Sequence, residues 1–290
     1  MIDCHLHLQD LRIQDDLEGI MDTAHKEGVS CMVVNGTCPG DWSRVEALTF
    51  RFPGVIPSFG VHPWKVNEVA GEWEAELEAY LLRHPIAGVG EIGLDKWIRG
   101  GDLDLQREVF TRQLELARKL QRPVSIHCLQ AWGSLRTCLD QSDFSSGWLL
   151  HSYGGPLEMV EDLVERGAFF SLSGYFFRPD KREKLLLFER IPDDRILLET
   201  DAPDMMPPLE LVRHPLLHSG SGEALNHPGN LGSIYTAFSL WRGISPDAAI
   251  KRTRENFQSW FFQGERKKLA ATAGESVNPE WATTRQEPTP

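Results

Sequence analysis

Positive charge is scarce in this sequence relative to negative charge: 30 Lys and Arg residues stand against 42 Asp and Glu residues, a formal net charge of −12 at pH 7. Proteins that hold nucleic acid by releasing its counterions usually present a basic face. The deficit therefore excludes tight, non-specific coating of DNA as the main function. A locally positive pocket remains compatible with it, because bound divalent cations do not enter a sequence charge count.

Long apolar runs are also absent. No stretch approaches 18 uncharged apolar residues, and the start, Met1-Ile2-Asp3-Cys4-His5, lacks the basic and apolar regions of a signal peptide. We therefore expect a soluble, cytoplasmic protein that does not associate with a membrane.

The cysteines are odd in number and form no CxxC pair, which favours free thiols in a reducing compartment; they are Cys4, Cys31, Cys38, Cys128 and Cys138.

The composition does supply material for a large core. Of the 290 residues, 41% are hydrophobic and 9% aromatic, which excludes wholesale disorder. Barrels of about 200–250 residues fold as one domain, and we place one such domain at residues 1–263. Residues 264–290 show no hydrophobic period, so we expect a disordered and dispensable C-terminal tail.

Short apolar runs alternate with amphipathic segments of helical length. This alternation implies parallel strands joined by right-handed crossovers, and eight such units predict a closed (β/α)8 TIM barrel. The alternative is an open doubly wound sheet, which would normally carry a glycine-rich turn after its first strand; here that turn, Cys4-His5-Leu6-His7-Leu8, has no glycine. The predicted strands are Met1–Cys4, Ser30–Val34, Val55–Gly60, Ala87–Gly90, Val124–Ile126, Trp148–Leu150, Ala168–Leu172 and Arg195–Leu198.

Nitrogen and oxygen donors directly follow five of these predicted strands. In a parallel barrel all carboxyl ends of the strands meet at one rim, where active sites of this fold lie. Imidazoles and carboxylates are ligands for Zn, Mn, Fe or Mg and need no sulfur. Any one of these residues alone is more simply a hydrogen-bonding residue, so the prediction rests on the set. The sequence predicts a metal site formed by His5, His7, Glu91, His127, His151 and Asp201.

The order of these residues resembles the TatD family of metal-dependent deoxyribonucleases, within the amidohydrolase-like barrels. The resemblance covers roughly residues 1–262. Each motif is weak alone, but together and in order they are specific. They are Asp3-Cys4-His5-Leu6-His7, Gly60-Val61-His62-Pro63, Gly90-Glu91-Ile92-Gly93-Leu94-Asp95, His127, His151-Ser152-Tyr153-Gly154-Gly155, Ser171-Leu172-Ser173-Gly174, Glu199-Thr200-Asp201-Ala202-Pro203 and Glu255-Asn256-Phe257.

The resemblance implies a site for two divalent metal ions, Mg, Mn or Zn. His5, His7 and Asp201 would hold one ion, His127 and His151 would hold the other, and Glu91 would bridge them. Water activated between the ions would be the nucleophile, with Asp201 as general base. The catalytic residues implied are thus Asp201 and Glu91.

Further residues are expected at the substrate. His62 would contact a phosphate or orient a ligand, and Asp95 would hydrogen-bond a ligand histidine; packing roles are the alternatives. Rim aromatics, Trp64 and Tyr153 among them, would stack unpaired bases. The long segment 204–229 is expected to be a specificity loop or a lid.

Three functions are compatible with these residues. The first is a DNA phosphodiesterase, a 3′–5′ exonuclease on single-stranded or frayed DNA. The second keeps the metal site but hydrolyses a small ester, amide, lactone or aminoacyl-nucleic-acid bond. The third is a non-catalytic metal-binding scaffold. None of them requires a protein partner.

Overall fold

The computed structural model describes residues 1–69, 71–142, 144 and 147–263. Eight parallel strands follow one another in chain order around one sheet, and each coincides with a predicted strand. This confirms the predicted barrel, whereas the predicted tail at 264–290 lies outside the described residues. The strands are β1 (Ile2–Leu6), β2 (Cys31–Asn35), β3 (Val55–Phe59), β4 (Gly88–Asp95), β5 (Val124–Leu129), β6 (Trp148–Leu150), β7 (Ala168–Ser173) and β8 (Ile196–Glu199).

Helices separate the strands and continue after the last one. A few begin with a side-chain cap, as where the Asp102 carboxylate accepts bonds from the N–H groups of Asp104 and Leu105. The helices are α1 (Leu17–Lys26), α2 (Pro39–Arg51), α3 (Trp73–Arg83), α4 (Leu103–Leu120), α5 (Trp132–Gln141), α6 (Val160–Glu165), α7 (Arg182–Leu187), α8 (Leu231–Arg242) and α9 (Pro246–Phe261). No helix of the described chain has the length and apolar character needed to cross a bilayer.

The ends of β1 and β8 are joined at the carboxyl rim. The N–H of Asp201 donates to the carbonyl of His5 at 3.0 Å, and the N–H of His7 donates to the carbonyl of Ala202 at 2.7 Å. These two bonds bring the first and last motifs of the sequence side by side.

Helix α9 fills the opposite end of the barrel. Its buried Phe257 and Trp260 belong to one apolar cluster with inward-facing strand residues such as Val33 and Phe169. Removing a large apolar side chain from water contributes about 1.5–3 kcal/mol. A second apolar cluster lies between the strands and the surrounding helices. Apolar side chains therefore close this end of the barrel, and the polar residues lie at the carboxyl rim.

One expectation about the rim, the end of the fourth strand, is corrected. The predicted fourth strand ended at Gly90, but β4 continues to Asp95, so Glu91 lies inside it; His5 and His127 also lie within strands. Segment 204–229, expected to be a specificity loop or a lid, contains a two-stranded antiparallel hairpin, β9 (Leu216–Leu217) and β10 (Ala224–Leu225).

Candidate metal centre

The carboxylate of Glu91 lies at the middle of the predicted site. Its Oε2 atom lies 3.2 Å from Nε2 of His7 and 3.4 Å from Nε2 of His5. Oδ1 of Asp201 lies 3.5 Å from the His7 nitrogen and 3.6 Å from the His5 nitrogen. Donor atoms of His5, His7 and Asp201 all lie within 4.8 Å of one another, close enough to hold one metal ion.

The other carboxylate oxygen of Glu91 faces a second group of histidines. Oε1 lies 2.8 Å from Nε2 of His151 and 3.1 Å from Nδ1 of His127. Nε2 of His62 lies 3.5 Å from the same oxygen. The structure thus brings the six predicted donors to one place, with Glu91 between two groups of them.

Two of the atoms that face this centre, Nε2 of His5 and Oδ1 of Asp201, are buried without a hydrogen-bond partner in the described part of the chain, as is Nδ1 of His151 on the other side of its ring. An unpaired buried polar group costs about 1–3 kcal/mol. A cation would satisfy the two atoms that face the centre, because imidazole nitrogen and carboxylate oxygen are ligands for Mg, Mn and Zn. The residues present therefore fit a divalent metal.

Glu91 reaches the centre because its strand is irregular there. The pairing of β4 with β5 shifts register around Glu91, and such a bulge re-aims a side chain. The flanking residues Gly90 and Gly93 must be glycines because a side chain would not fit at either position. A Cβ on Gly90 would lie within 3.0 Å of three side-chain atoms, and one on Gly93 would lie 1.9 Å from the carbonyl oxygen of His127. The Gly-Glu-Ile-Gly motif is thus the local condition for placing this carboxylate.

Outer contacts orient the first group of imidazoles. Nδ1 of His7 lies 2.8 Å from the carbonyl oxygen of Asn35, which can only accept, so Nδ1 carries the proton and Nε2 offers a lone pair to the centre. Nδ1 of His5 lies 2.8 Å from Oγ of Ser125. Such contacts set the tautomer and ring orientation of a metal ligand.

The second group is oriented by carboxylates. Nε2 of His127 lies 3.0 Å from Oδ2 of Asp95, which leaves Nδ1 free to face Glu91; the predicted contact of Asp95 with a donor histidine is therefore present. Nδ1 of His151 lies 3.6 Å from Oε1 of Glu199. An acidic residue thus lies behind each imidazole, at hydrogen-bond distance from His127 and at ion-pair distance from His151.

Glu199 is a residue of this site that the sequence analysis missed. It is fully buried, and its carboxylate accepts hydrogen bonds from the hydroxyls of Ser152 and Ser171. The two-residue alternation of a strand could have identified it. Side chains two residues apart point the same way, and Leu197, two residues before Glu199, faces the barrel interior.

His62 is held differently from the other histidines. Its Nδ1 accepts a hydrogen bond from the N–H of Trp64 at 3.1 Å, so in the neutral ring the proton lies on Nε2, the nitrogen that faces Glu91. Burial lowers the pKa of His62 to about 4. His62 therefore presents an N–H donor to the centre rather than a lone pair.

The acidic and imidazole groups at the centre shift one another's pKa values. Burial alone would raise the pKa of Glu91, but the neighbouring histidines, His151 foremost, hold it well below its usual value. Burial alone would lower the pKa of His151, but Glu91 raises it well above the usual value. The pKa of His7 is likewise raised against burial by Asp201 and Glu91. The acidic and imidazole groups of the centre thus stabilise each other's charged forms.

A cavity of about 710 Å³ opens onto the centre. Trp64 and Trp97 line it and are 47% and 61% exposed. The indole N–H of Trp64 donates to Oδ2 of Asp95 at 2.6 Å, which fixes the ring. Of segment 204–229, Asp204 and Met205 line this cavity. Trp64 and His62 thus both line the cavity beside the metal centre.

Tyr153 is placed elsewhere, which corrects its predicted contact with substrate. Its side chain has no exposed surface, its ring packs against Trp132 and Phe170, and its hydroxyl donates to the carbonyl of Pro156 at 2.7 Å. A ring enclosed on all sides cannot stack on a base. The strand-end position alone could not reveal which way the ring turns.

Comparison with known proteins agrees with this geometry. A family model described as TatD related DNase matches residues 2–262. The chain is 28% identical over 265 residues to the 3′-5′ ssDNA/RNA exonuclease TatD of Citrobacter koseri, which covers 90% of this chain and 98% of the relative. It is 28% identical over 269 residues to deoxyribonuclease TATDN3 of Homo sapiens, which covers 88% of this chain and 92% of the relative.

A solved structure shares the whole architecture. The crystal structure of YJJV, a TatD homolog from Escherichia coli, matches with a TM-score of 0.81 at 25% identity, covering 90% of this chain and 97% of that chain. The match extends over the barrel and its rim rather than over a fragment.

Proposed function

The chain belongs to the TatD-related DNase family, and we propose that it is a divalent-metal-dependent hydrolase that removes nucleotides from the 3′ end of single-stranded DNA. The observation that carries the proposal is the position of Glu91, whose two oxygens face separate groups of donors. The relatives named as an exonuclease and a deoxyribonuclease support this choice of substrate.

Two metal ions fit the arrangement. His5, His7 and Asp201 would hold one ion, His127 and His151 the other, with Glu91 shared between them. Divalent ions in such a site neutralise charge on a phosphoryl group and acidify water. Mg²⁺, Mn²⁺ and Zn²⁺ are all compatible with nitrogen and oxygen ligands.

The residues around the ions have separate tasks. Asp201 accepts the proton of the attacking water through its carboxylate. His62 donates the Nε2 proton to a non-bridging phosphate oxygen, since its other nitrogen is already occupied by Trp64. A neutral imidazole suits this role because it adds no positive charge next to the cations. The phosphate would thus be contacted both by the metal ions and by His62.

Aromatic surface completes the substrate site. Trp64 and Trp97 expose large parts of their rings along the cavity wall, and stacking of a base on an aromatic ring contributes about 1–3 kcal/mol. Stacking requires a base without a paired partner, so this wall favours single-stranded DNA over a duplex.

The test is nucleotide release from a single-stranded oligonucleotide labelled at its 5′ end, with Mg²⁺, Mn²⁺ or Zn²⁺ added to metal-free protein. We expect a ladder of products shortened from the 3′ end, at least a thousandfold slower in Glu91→Gln, because loss of one stabilising group at the reacting charge costs about 10²–10³ and the metals are lost with it. Glu161→Gln, on the exposed face of α6, is the matched control.

Two results would reject the proposal. Pure protein that leaves DNA intact with every metal, yet hydrolyses a lactone or small ester, would assign the site to those substrates. Protein that binds no divalent ion by elemental analysis, and whose melting temperature added Zn²⁺ or Mn²⁺ does not change, would be a scaffold.

A further inference from the structure

Arg44, on α2, lines the cavity with its charge uncompensated. No carboxylate lies within 4.0 Å of its guanidinium among the described residues, whereas Arg12 is paired with Asp10 and Asp204, and Lys65 with Glu68. In a protein of net charge −12, this leaves a positive charge on the cavity wall that is available to an anionic ligand.

The guanidinium is nevertheless fixed. Its Nε donates to the backbone carbonyl of Gln9 at 3.2 Å, and its Nη1 donates to the backbone carbonyl of Gly40 at 3.1 Å. Both acceptors are uncharged, so they restrain the side chain and leave its positive charge in place. A restrained guanidinium loses less conformational entropy when it binds an anion.

The nearest acidic residue along the helix is occupied elsewhere. Asp41, one turn before Arg44, accepts hydrogen bonds from the N–H and the hydroxyl of Thr37 and from the N–H of Cys38. Its oxygens are therefore turned toward the start of α2. This explains why a potential i,i+3 ion pair does not form.

Arg44 lies beside the metal centre and not in it. The side chain of Gln9, whose carbonyl Arg44 binds, donates to the carbonyl of Asn35 at 2.6 Å and lies 3.5 Å from Nδ1 of His7. The opposite nitrogen of His7 is the one that faces Glu91. Gln9 and the His7 ring thus separate Arg44 from the reacting phosphate.

We propose that Arg44 is a second phosphate-binding site, which takes the phosphodiester group next to the one being cleaved. This inference rests on the proposed function, because it requires a substrate with at least two phosphates. A planar guanidinium with free N–H groups suits a phosphate oxygen pair. The site gives the enzyme a preference for a nucleotide chain over a small phosphodiester.

The experiment measures binding and turnover separately. Binding is measured with a fluorescent single-stranded oligonucleotide carrying phosphorothioate linkages, which keep the charge and resist hydrolysis, at several salt concentrations. Turnover is compared between an unmodified oligonucleotide and bis(4-nitrophenyl) phosphate, which has one phosphate. The variants are Arg44→Met, Arg44→Lys and the control Arg51→Met, which removes the same charge from the far, exposed end of α2.

For Arg44→Met we expect affinity for the oligonucleotide to fall about tenfold and the slope of log K against log salt to fall by about 0.7, the value for one single-strand phosphate contact. The ratio of kcat/KM for the oligonucleotide to that for the small diester should fall about tenfold as well. Arg44→Lys should keep the salt slope, because it keeps the charge.

Equal affinity and equal salt slope in Arg44→Met and Arg51→Met would overturn the second phosphate site. An equal loss on both substrates would also overturn it, because it would place Arg44 at the reacting phosphate or in the fold. Wild-type protein that cleaves neither substrate contradicts the proposed function; the binding series then decides on Arg44 by itself.

Discussion

Oδ2 of Asp95 lies 3.0 Å from Nε2 of His127, on the side of the ring that faces away from Glu91. The carboxylate keeps the proton on that nitrogen and so leaves the lone pair of Nδ1 facing Glu91. Burial alone would raise the pKa of Asp95, but the hydrogen bonds from His127 and Trp64 lower it, so the residue is an anion here.

Replacing Asp95 by asparagine should weaken metal binding. Losing an outer partner of a ligand histidine typically costs about 10–100-fold in metal affinity, and Asp95→Asn removes the charge that orients His127. Titration with Zn²⁺ in a chelator buffer measures the effect. Trp64→Phe removes the other donor to the same oxygen and should change metal affinity less; an equal loss in both variants would contradict the role of Asp95.

Metal uptake should release protons. Burial opposes the charged form of His7, His127 and His151, but nearby carboxylates raise the pKa of each above its usual value. A cation takes the lone pairs that these protons occupy, so metal affinity should rise with pH through the raised pKa values. Calorimetry in two buffers of different ionisation enthalpy counts the protons. Asp95→Asn, which should still bind metal, removes the carboxylate that raises the pKa of His127 most and should release fewer protons; an equal count would reject this account.

Asp3, inside the barrel below the site, should make stability depend on pH. Burial raises its pKa from 3.8 to about 8, although Thr200 donates two hydrogen bonds to it. The folded protein therefore binds a proton that the unfolded chain has lost, and stability falls as pH rises from about 4 to about 8 by about 1.4 kcal/mol per pH unit.

Asp3→Asn cannot ionise and should lack this contribution. Urea unfolding of both proteins with a chelator present, at pH 5.5, 6.5 and 7.5, measures the difference in their free energies of unfolding. The difference should shift in favour of Asp3→Asn as pH rises. A difference that does not change with pH would show that Asp3 is ionised in the folded protein.

Replacing Trp97, which is exposed at the cavity, and Tyr153, which is buried, should have different effects. Trp97→Ala should raise KM for a single-stranded oligonucleotide about tenfold, because stacking contributes about 1–3 kcal/mol, with little loss of stability since the ring is 61% exposed. Tyr153→Phe should lower stability by about 0.5–1.5 kcal/mol, the value of one hydrogen bond, through loss of the bond to Pro156. Thermal unfolding and steady-state kinetics of both variants check this; the reverse pattern would contradict the assignment.

Much of the fold could be predicted because it depends on local patterns. Apolar runs of strand length, separated by amphipathic helices, located all eight strands within a few residues. The exception in length was β4, whose last five residues, Glu91–Asp95, include a glycine and two acidic residues. Its extension depends on pairing with β5, and partners distant in the chain do not enter a local pattern.

The candidate site could likewise be predicted only in part. Residue type and position marked His5, His7 and Asp201, because imidazoles and carboxylates at strand ends are metal ligands wherever the strands converge. Glu199 and Ser125 were missed because their task is to orient a histidine on another strand. Such a contact depends on the register between strands.

The sequence by itself determined the alternation of strands and helices, the shortage of positive charge and the chemical kind of each donor, since all three belong to single residues or their near neighbours. Only the tertiary structure decided which oxygen of Glu91 faces which histidines, that Tyr153 turns into the core, and that Arg44 stands without an acidic partner. The physical reason is closure of the barrel: joining the rim of β1 to that of β8 sets distances between residues far apart in the chain, and those distances govern pairing, burial and charge.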